Sequence, residues 1–279
     1  MELKITEYKP NQNNSFRAEI KQMFKDLLSS RELAKRLFLR DKKAEYRQSI
    51  LGILWAFITP CINALVWIFL TVSGAVNIAS DQIPYPLFVF IGTMLWSVFT
   101  ESVNMPLGAT NGAKSLISKI NFPKEAILIS GFYKIVFNSL IKLAIIIAAL
   151  FVFQINPGFN FLTGLAMLIF IIIFGTAIGL LITPVGMLYK DVGRAIPLGL
   201  SFLMYITPVV YKEVKNPILA RLININPLTP IINSTRNLLT GYSWDEPFYL
   251  IGIGVVMFFV LIFGWIFYRV SIPVIIERM

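Results

Sequence analysis

"FLTGLAMLIFIIIFGTAIGLLITPVGM", residues 161–187, runs for 27 positions without one Lys, Arg, Asp or Glu. At 1.5 Å per residue a helix of that length is about 40 Å long, enough to cross about 30 Å of hydrocarbon with some tilt. Such a run reads as a membrane helix. Working outward, apolar segments recur at about 51–73, 86–104, 126–153, 195–211 and 247–270, which makes six predicted spans with the first. The segment 195–211 is the shortest, at 17 residues, and contains Pro197 and Pro208. Breaks between spans are sharp, as in "GAVNIASDQIPYP", "QINPGFN" and "YKDVGR".

The whole composition agrees. Of 279 residues, 56% are hydrophobic and 14% charged, and the mean hydropathy is +0.72. One internal core cannot hide that much apolar surface, so the surrounding medium must itself be apolar. The net charge of +10 lies in flanks and loops between apolar runs, which points to membrane surface and away from nucleic acid. With no histidine and only Cys61, His-ligated metal sites, Ser/His or Cys/His nucleophilic pairs and an internal disulfide are excluded. The first fifty residues are polar, so no cleavable signal peptide is expected and insertion falls to the first internal apolar helix.

Orientation follows from Lys and Arg, which short cytoplasmic loops retain. The loops 74–85 and 154–160 have none, whereas 105–125 holds Lys114, Lys119 and Lys124, and 188–194 holds Lys190 and Arg194. Both termini are therefore predicted to be cytoplasmic. Residues 212–246, with Lys212, Lys215, Arg221 and Arg236, form the longest outer connection. Within it, 216–241 contains two apolar pieces of about ten residues broken by Asn226, Pro227 and Pro230, too short to cross and predicted to be re-entrant, with Gly241 as a stop. Before the first span, 30–48 repeats Leu33, Ala34, Leu37 and Phe38 among basic residues behind Ser29 and Ser30, the pattern of an amphipathic interface helix with its apolar face toward lipid. The predicted fold class is thus all-α integral membrane protein. Its parts are an N-terminal tail (1–29), an interface helix (30–48), a six-helix membrane domain (51–270) and a C-terminal tail (271–279).

"GATNGAKS", residues 108–115, comes within one residue of a phosphate-binding loop, but Ala113 stands where the second glycine is needed and a membrane helix precedes it. No downstream strand offers an acidic residue for magnesium. What remains is a short helix over 108–124, flexible at Gly108 and Gly112 and closed by Pro123, with Leu116, Ile117 and Ile120 on one face and Phe122 expected to be exposed. That is the profile of a docking helix. A plain interfacial turn is the bland reading of the same residues.

Five stretches in order, "RDKKAEYRQSILGILWAFITP" (40–60), "IPYPLFVFIGTMLWSVF" (83–99), "LISKINFPKEAI" (116–127), "YKDVGRAIPLGLSFLMYITPVVY" (189–211) and "NPLTPIINSTRNLLTG" (226–241), resemble the membrane subunit of ATP-binding-cassette exporters of O antigens, capsules and teichoic acids. The resemblance covers about 35–270. It implies a homodimeric pore in the bacterial cytoplasmic (inner) membrane, moving a lipid-linked polysaccharide, with two separate nucleotide-binding ATPase subunits beneath. It also implies no cofactor in this chain, since ATP and Mg belong to the partner. The segment 108–124 becomes the coupling helix, and Lys114, Lys119, Phe122, Pro123 and Lys124 the ATPase-docking set. Lys124 follows the proline where an Arg is common, keeping the charge and losing the planar fork.

A long glycan needs a continuous channel, because each unsatisfied hydroxyl costs several kcal/mol in hydrocarbon, and aromatic rings suit the C–H faces of passing sugars. The resemblance assigns spans one and five to the wall, so Trp55, Trp67, Phe69, Tyr205 and Tyr211 are the candidates, against the reading that they are lipid-facing or belt anchors. Ionisable residues within spans are few. Glu101 is expected near the inner end of span two, and Lys134 and Lys142 lie eight apart on one helical face. Lys142 is the candidate contact for a diphosphate or acidic sugar, with snorkelling or pairing to backbone carbonyls as the alternative. A related permease for drugs, peptides or lipids would share this outline. A glycosyl- or acyltransferase is disfavoured by the missing His and paired carboxylates, and a proton-driven carrier by the few buried titratable groups.

Overall fold

The computed structural model describes residues 23, 25–47, 49–74, 83–120, 122–211, 216–244 and 246–277, and helix is the only regular structure among them. The elements are α1 (Arg31–Tyr46), a 3-10 turn (Gly52–Leu54), α2 (Trp55–Val72), α3 (Tyr85–Gly112), α4 (Lys114–Ile117), α5 (Glu125–Val152), α6 (Asn160–Leu188), α7 (Lys190–Ile206), α8 (Pro217–Ile225), α9 (Leu228–Leu239) and α10 (Pro247–Glu277). Four of them, α3, α5, α6 and α10, are long and apolar enough to cross a membrane. They coincide with four of the six predicted spans. The other two predictions fall on α2, with 18 residues, and α7, with 17.

Boundaries differ from expectation where packing overrides local signals. The predicted break "YKDVGR" is the first turn of α7, with Asp191 favourably placed at the positive end of the helix dipole. At its other end α7 stops at Ile206, because Thr207 precedes Pro208 and is pushed into extended backbone (φ −101°, ψ 135°), so 207–211 is not helical. Helix α3 continues eight residues past the predicted limit at 104, through Pro106, Gly108 and Gly112. The predicted C-terminal tail is a continuation of α10 as far as Glu277. Residues 1–22, 24 and 278–279 of the two predicted tails lie outside the described residues, as do 75–82, Lys212 and Lys215.

At the centre stands α6, packed against α3, α10 and α9. Its glycines set how closely α3 approaches. A Cβ on Gly175 would lie 2.7 Å from Ser102 Cβ and 2.9 Å from the Phe99 carbonyl oxygen, and one on Gly179 would collide with the Val103 carbonyl and lie 2.9 Å from the Pro106 ring. Small residues that let backbones approach are the usual source of helix association in lipid, where apolar burial alone gives little. Pro106 is thereby seated against α6, and the Thr110 hydroxyl donates to its carbonyl at 2.6 Å. Substituting Gly179→Ala is expected to cost about 1–3 kcal/mol by forcing α3 and α6 apart. Thermal unfolding in detergent checks it against Gly254→Ala, whose nearest neighbour, the Phe170 ring at 3.5 Å, is an ordinary contact.

The bundle has two distinct ends. At one, Leu37 of α1, Ala113, Ile117, Phe122, Ala126 and Ile127 form a small apolar cluster flanked by Ile276 of α10. At the other, the 153–159 turn meets Gly241, whose positive φ (+93°) and 3.0 Å clearance from Pro157 Cα admit no side chain. Asn160 Nδ2 closes that contact by donating to the carbonyls of Gly241 (3.0 Å) and Tyr242 (3.2 Å). Helix α1 matches the predicted 30–48, although Ser30 makes no side-chain cap. Its apolar face does not look outward as expected: Ala34 and Leu37 are buried, the helix packs on α5, and the Phe38 ring meets Tyr133 and Phe137 at 6.2 and 6.1 Å.

Candidate coupling and channel elements

The segment 108–124 is not one helix. Residues 108–112 belong to α3, which ends at Ala113, and only Lys114–Ile117 forms a further helical turn. Lys114 and Lys119 point outward, Pro123 is half-buried, and Ile120 is 54% exposed. Phe122, expected at the surface, is 7% exposed, because α1 lies over it and Leu37 completes its pocket. Ile120 therefore presents the apolar side chain that sequence reading gave to Phe122. Lys124 is half-buried at the start of α5. Burial holds its ammonium below the ordinary lysine value, adjacent Glu125 opposes that shift and Arg269 adds to it.

Behind this segment three elements are tied by charge. Arg269 of α10 pairs through Nη2 with Asp26 at 2.7 Å and through Nη1 with Glu125, the first residue of α5. Beside it, the hydroxyls of Tyr268 and Thr110 meet at 2.9 Å in a buried contact between α10 and α3. The loop is thus held to the N-terminal helical stretch, α3, α5 and α10 together. Sequence reading missed this set, since Asp26 and Arg269 are 243 positions apart.

A second polar set runs into the bundle. Lys42 of α1, itself buried, donates to Asn138 Oδ1 at 3.0 Å and stands 4.6 Å from the centre of the Phe137 ring. Asn138 Nδ2 donates to Glu101 Oε2 at 3.3 Å, and Lys142 Nζ donates to Glu101 Oε1 at 2.5 Å. Lys134, a turn before Asn138, pairs with Glu45 of α1 at 3.1 Å. Lys134, Asn138 and Lys142 recur every fourth residue, so one face of α5 carries the row. Glu101 is not near a helix end as expected. With α3 extended to Gly112 it lies about 16 Å inside. Lys142, 5% exposed, has this carboxylate as its partner rather than backbone carbonyls, and a direct diphosphate contact requires that pair to open. The fourfold spacing on α5 was the available signal; the partner on α3 had none.

At the other end Arg236 of α9 is 1% exposed. Its Nη2 donates to the carbonyls of Pro208 (3.0 Å) and Val209 (2.8 Å), its Nη1 donates to Asn233 Oδ1 (3.2 Å), and its guanidinium lies 3.6 Å from the centre of the Phe88 ring. Asn226 Nδ2 reaches Thr207 Oγ1 at 2.8 Å, and the Tyr85 hydroxyl donates to the Val210 carbonyl at 2.9 Å. The carbonyls of the non-helical residues 208–210 are therefore satisfied by Arg236 of α9 and Tyr85 of α3, while Asn226 holds the Thr207 hydroxyl.

The predicted channel aromatics fall on two exposed faces. Trp55 is exposed and Phe69 is 71% exposed on α2, and Tyr205 is 63% exposed on α7. Tyr211 is half-buried and donates to the Tyr205 carbonyl at 2.8 Å. The side chain of Trp67 lies outside the described residues. Helix α2 packs on α3 and α5, whereas α7 packs on α6 and α3, so the chain does not join the two aromatic faces into one wall.

Membrane-length helices around a glycine-lined centre, with ion pairs between helices and a basic loop at one end, define a polytopic membrane protein. Residues 32–240 match the ABC-2 type transporter family, and the chain belongs to that family. The matched region runs from α1 through α9. Among curated proteins it is similar to the O-antigen export system permease protein RfbA of Klebsiella pneumoniae, 27% identical over 237 residues that cover 82% of this chain and 90% of that protein. A protein of the same name from Myxococcus xanthus is 25% identical, covering 68% and 72%. The polysialic acid transport protein KpsM of Escherichia coli is 24% identical, covering 63% and 68%.

Proposed function

We propose that this chain is the channel-forming permease subunit of an ATP-driven exporter of a lipid-linked polysaccharide in the bacterial inner membrane. Two copies would form the pore, with two separate ATPase subunits holding ATP and Mg. The observation that carries the reading is the likeness, over most of the chain, to permeases named for O-antigen and polysialic acid transport. The aromatic faces of α2 and α7 support a pore between copies, since each is uncovered within one chain and a second copy could bring them opposite one another. Such a wall holds sugars by contact with their apolar faces and lets them pass in register. In this arrangement α2 and α7 are spans one and five, α8 and α9 are re-entrant at the outer mouth, and both termini are cytoplasmic.

The end carrying Lys114, Lys119 and Ile120 is then the ATPase-docking end. Motion delivered there reaches α5 through Glu125, α10 through Arg269 and α1 through the Leu37 cluster. Lys124 and Pro123 position the loop at the head of α5, and Phe122 anchors it. Reversing the two outward charges, Lys114→Glu with Lys119→Glu, is expected to lower glycan transported per ATP hydrolysed by about tenfold or more, the weight of ~1.4 kcal/mol of lost docking. Vesicles holding permease and ATPase report it, and coupled transport at the original ratio would count against this docking assignment. Lys119→Gln is expected to lose less, since it removes attraction without adding repulsion.

A further inference from the structure

A groove of about 420 Å³ opens between α5 and α10, two membrane-length helices that flank the α3–α6 pair. Leu128, Ile129 and Phe132 form one wall, Leu261 and Trp265 the other, and Leu180 lies in its floor. Nearly all of that lining is apolar. The polar exceptions are Thr176 and Tyr133 along the lining and, at the basic face of the bundle, Arg31, the first residue of α1, and Glu125 at the mouth. Glu125 is taken by Arg269, which also holds Asp26, and neighbouring Glu32 is engaged by Arg36 at 3.6 Å. Arg31 is exposed and makes no ion pair among the described residues, so the mouth presents one guanidinium without a counter-charge.

We propose that this groove binds an anionic membrane phospholipid, one acyl chain between α5 and α10 and the phosphate on Arg31. The shape selects the occupant. At about 420 Å³ the space suits a single hydrocarbon chain, which meets apolar carbon on two walls and the floor. The charge selects the headgroup: the guanidinium's two parallel donors suit any lipid phosphate, but without a counter-charge of its own Arg31 favours a lipid of net negative charge over a zwitterionic one whose choline offsets its phosphate. The bound lipid would bridge α1, α5 and α10, the three elements that the docking end must move together. The inference rests on the membrane placement of this end and not on the identity of the transported glycan.

The test uses the full-length chain with its ATPase, purified in mild detergent with equal phosphatidylglycerol and phosphatidylcholine, and native mass spectrometry of retained lipid. The intact protein is expected to retain phosphatidylglycerol preferentially. Arg31→Gln is expected to reduce that preference about fivefold, the effect of one basic group at a membrane surface, with a smaller loss of phosphatidylcholine than of phosphatidylglycerol. Ile129→Trp, which fills the groove, is expected to displace both, and an unchanged thermal midpoint excludes misfolding as the cause. Equal retention in all three proteins overturns the site. So does loss of a co-purified polyprenyl-linked glycan, rather than phospholipid, in Ile129→Trp, which would make the groove a substrate route and leave the export reading standing.

Discussion

Replacing Arg236 by alanine is expected to destabilise the fold by about 2–5 kcal/mol, since it leaves two buried carbonyls without their donor at about 1–3 kcal/mol each. The carbonyls of Pro208 and Val209 sit where α7 has ended and no helix continues, and Arg236 is their donor. At membrane depth an unsatisfied carbonyl has no water to turn to, so the loss falls on the backbone as much as on the side chain. The guanidinium's position over Phe88 adds a desolvated cation–π contact of about 2 kcal/mol. Arg236→Lys is expected to recover only part of this, since an ammonium keeps the charge but lacks the planar fork and the ring stacking. Gly92→Ala should act on the same place from the opposite side, because a Cβ there would collide with the Val209 carbonyl and approach the Arg236 guanidinium to 2.5 Å. Thermal unfolding and membrane abundance of the three variants give the order, with Arg236→Ala lowest. An Arg236→Ala protein that melts with the parent would remove this arginine from any structural role at this end of the bundle.

The second large effect concerns Glu101 and Lys142, and it is expected to be non-additive. Glu101→Gln alone leaves a buried ammonium and is expected to cost about 3–5 kcal/mol, whereas Lys142→Met leaves a partly exposed carboxylate still in contact with Asn138 and Ser97 and is expected to cost about 1 kcal/mol. Both changes together leave only the Asn138 and Ser97 contacts to a neutral amide, and the double variant is expected to be more stable than either single one. A double-mutant cycle on thermal stability measures the coupling. If the two single losses simply add, the 2.5 Å contact carries no net interaction. The same cycle read on transport distinguishes two roles for Lys142. A double variant that exports at the original rate makes the pair a means of registering α5 on α3, whereas one that is stable but inactive makes the ammonium a working group.

Much of the architecture is legible in residue order. Long apolar runs with few charges marked α3, α5, α6 and α10 to within a residue or two at most ends, because lipid leaves a chain few alternatives to helix at that length. The pattern Leu33, Ala34, Leu37 located α1, and Asn226 with Pro227 and Pro230 separated α8 from α9. The errors have a common cause. Gly108 and Gly112 read as the flexible start of a separate helix, yet α3 continues through them, its preceding turns held against Gly175 and Gly179 of α6. Phe122 looked exposed beside Pro123, yet α1 covers it. In each case a local signal of moderate strength met a tertiary contact that outweighed it.

What the sequence determined by itself is the class of solvent this chain lives in, the axial position of its long helices, and the basic loop between α3 and α5. These depend on hydropathy and charge along the chain, which are properties of order alone. What only the tertiary structure decided is which polar groups meet: Lys42 with Asn138, Asn138 and Lys142 with Glu101, Arg269 with Glu125 and Asp26, Arg236 with the carbonyls of 208 and 209. A side chain's spacing gives the face it occupies on its own helix. Its partner on another helix depends on the rotation and depth at which the two pack, and those are set by glycines and prolines many positions away.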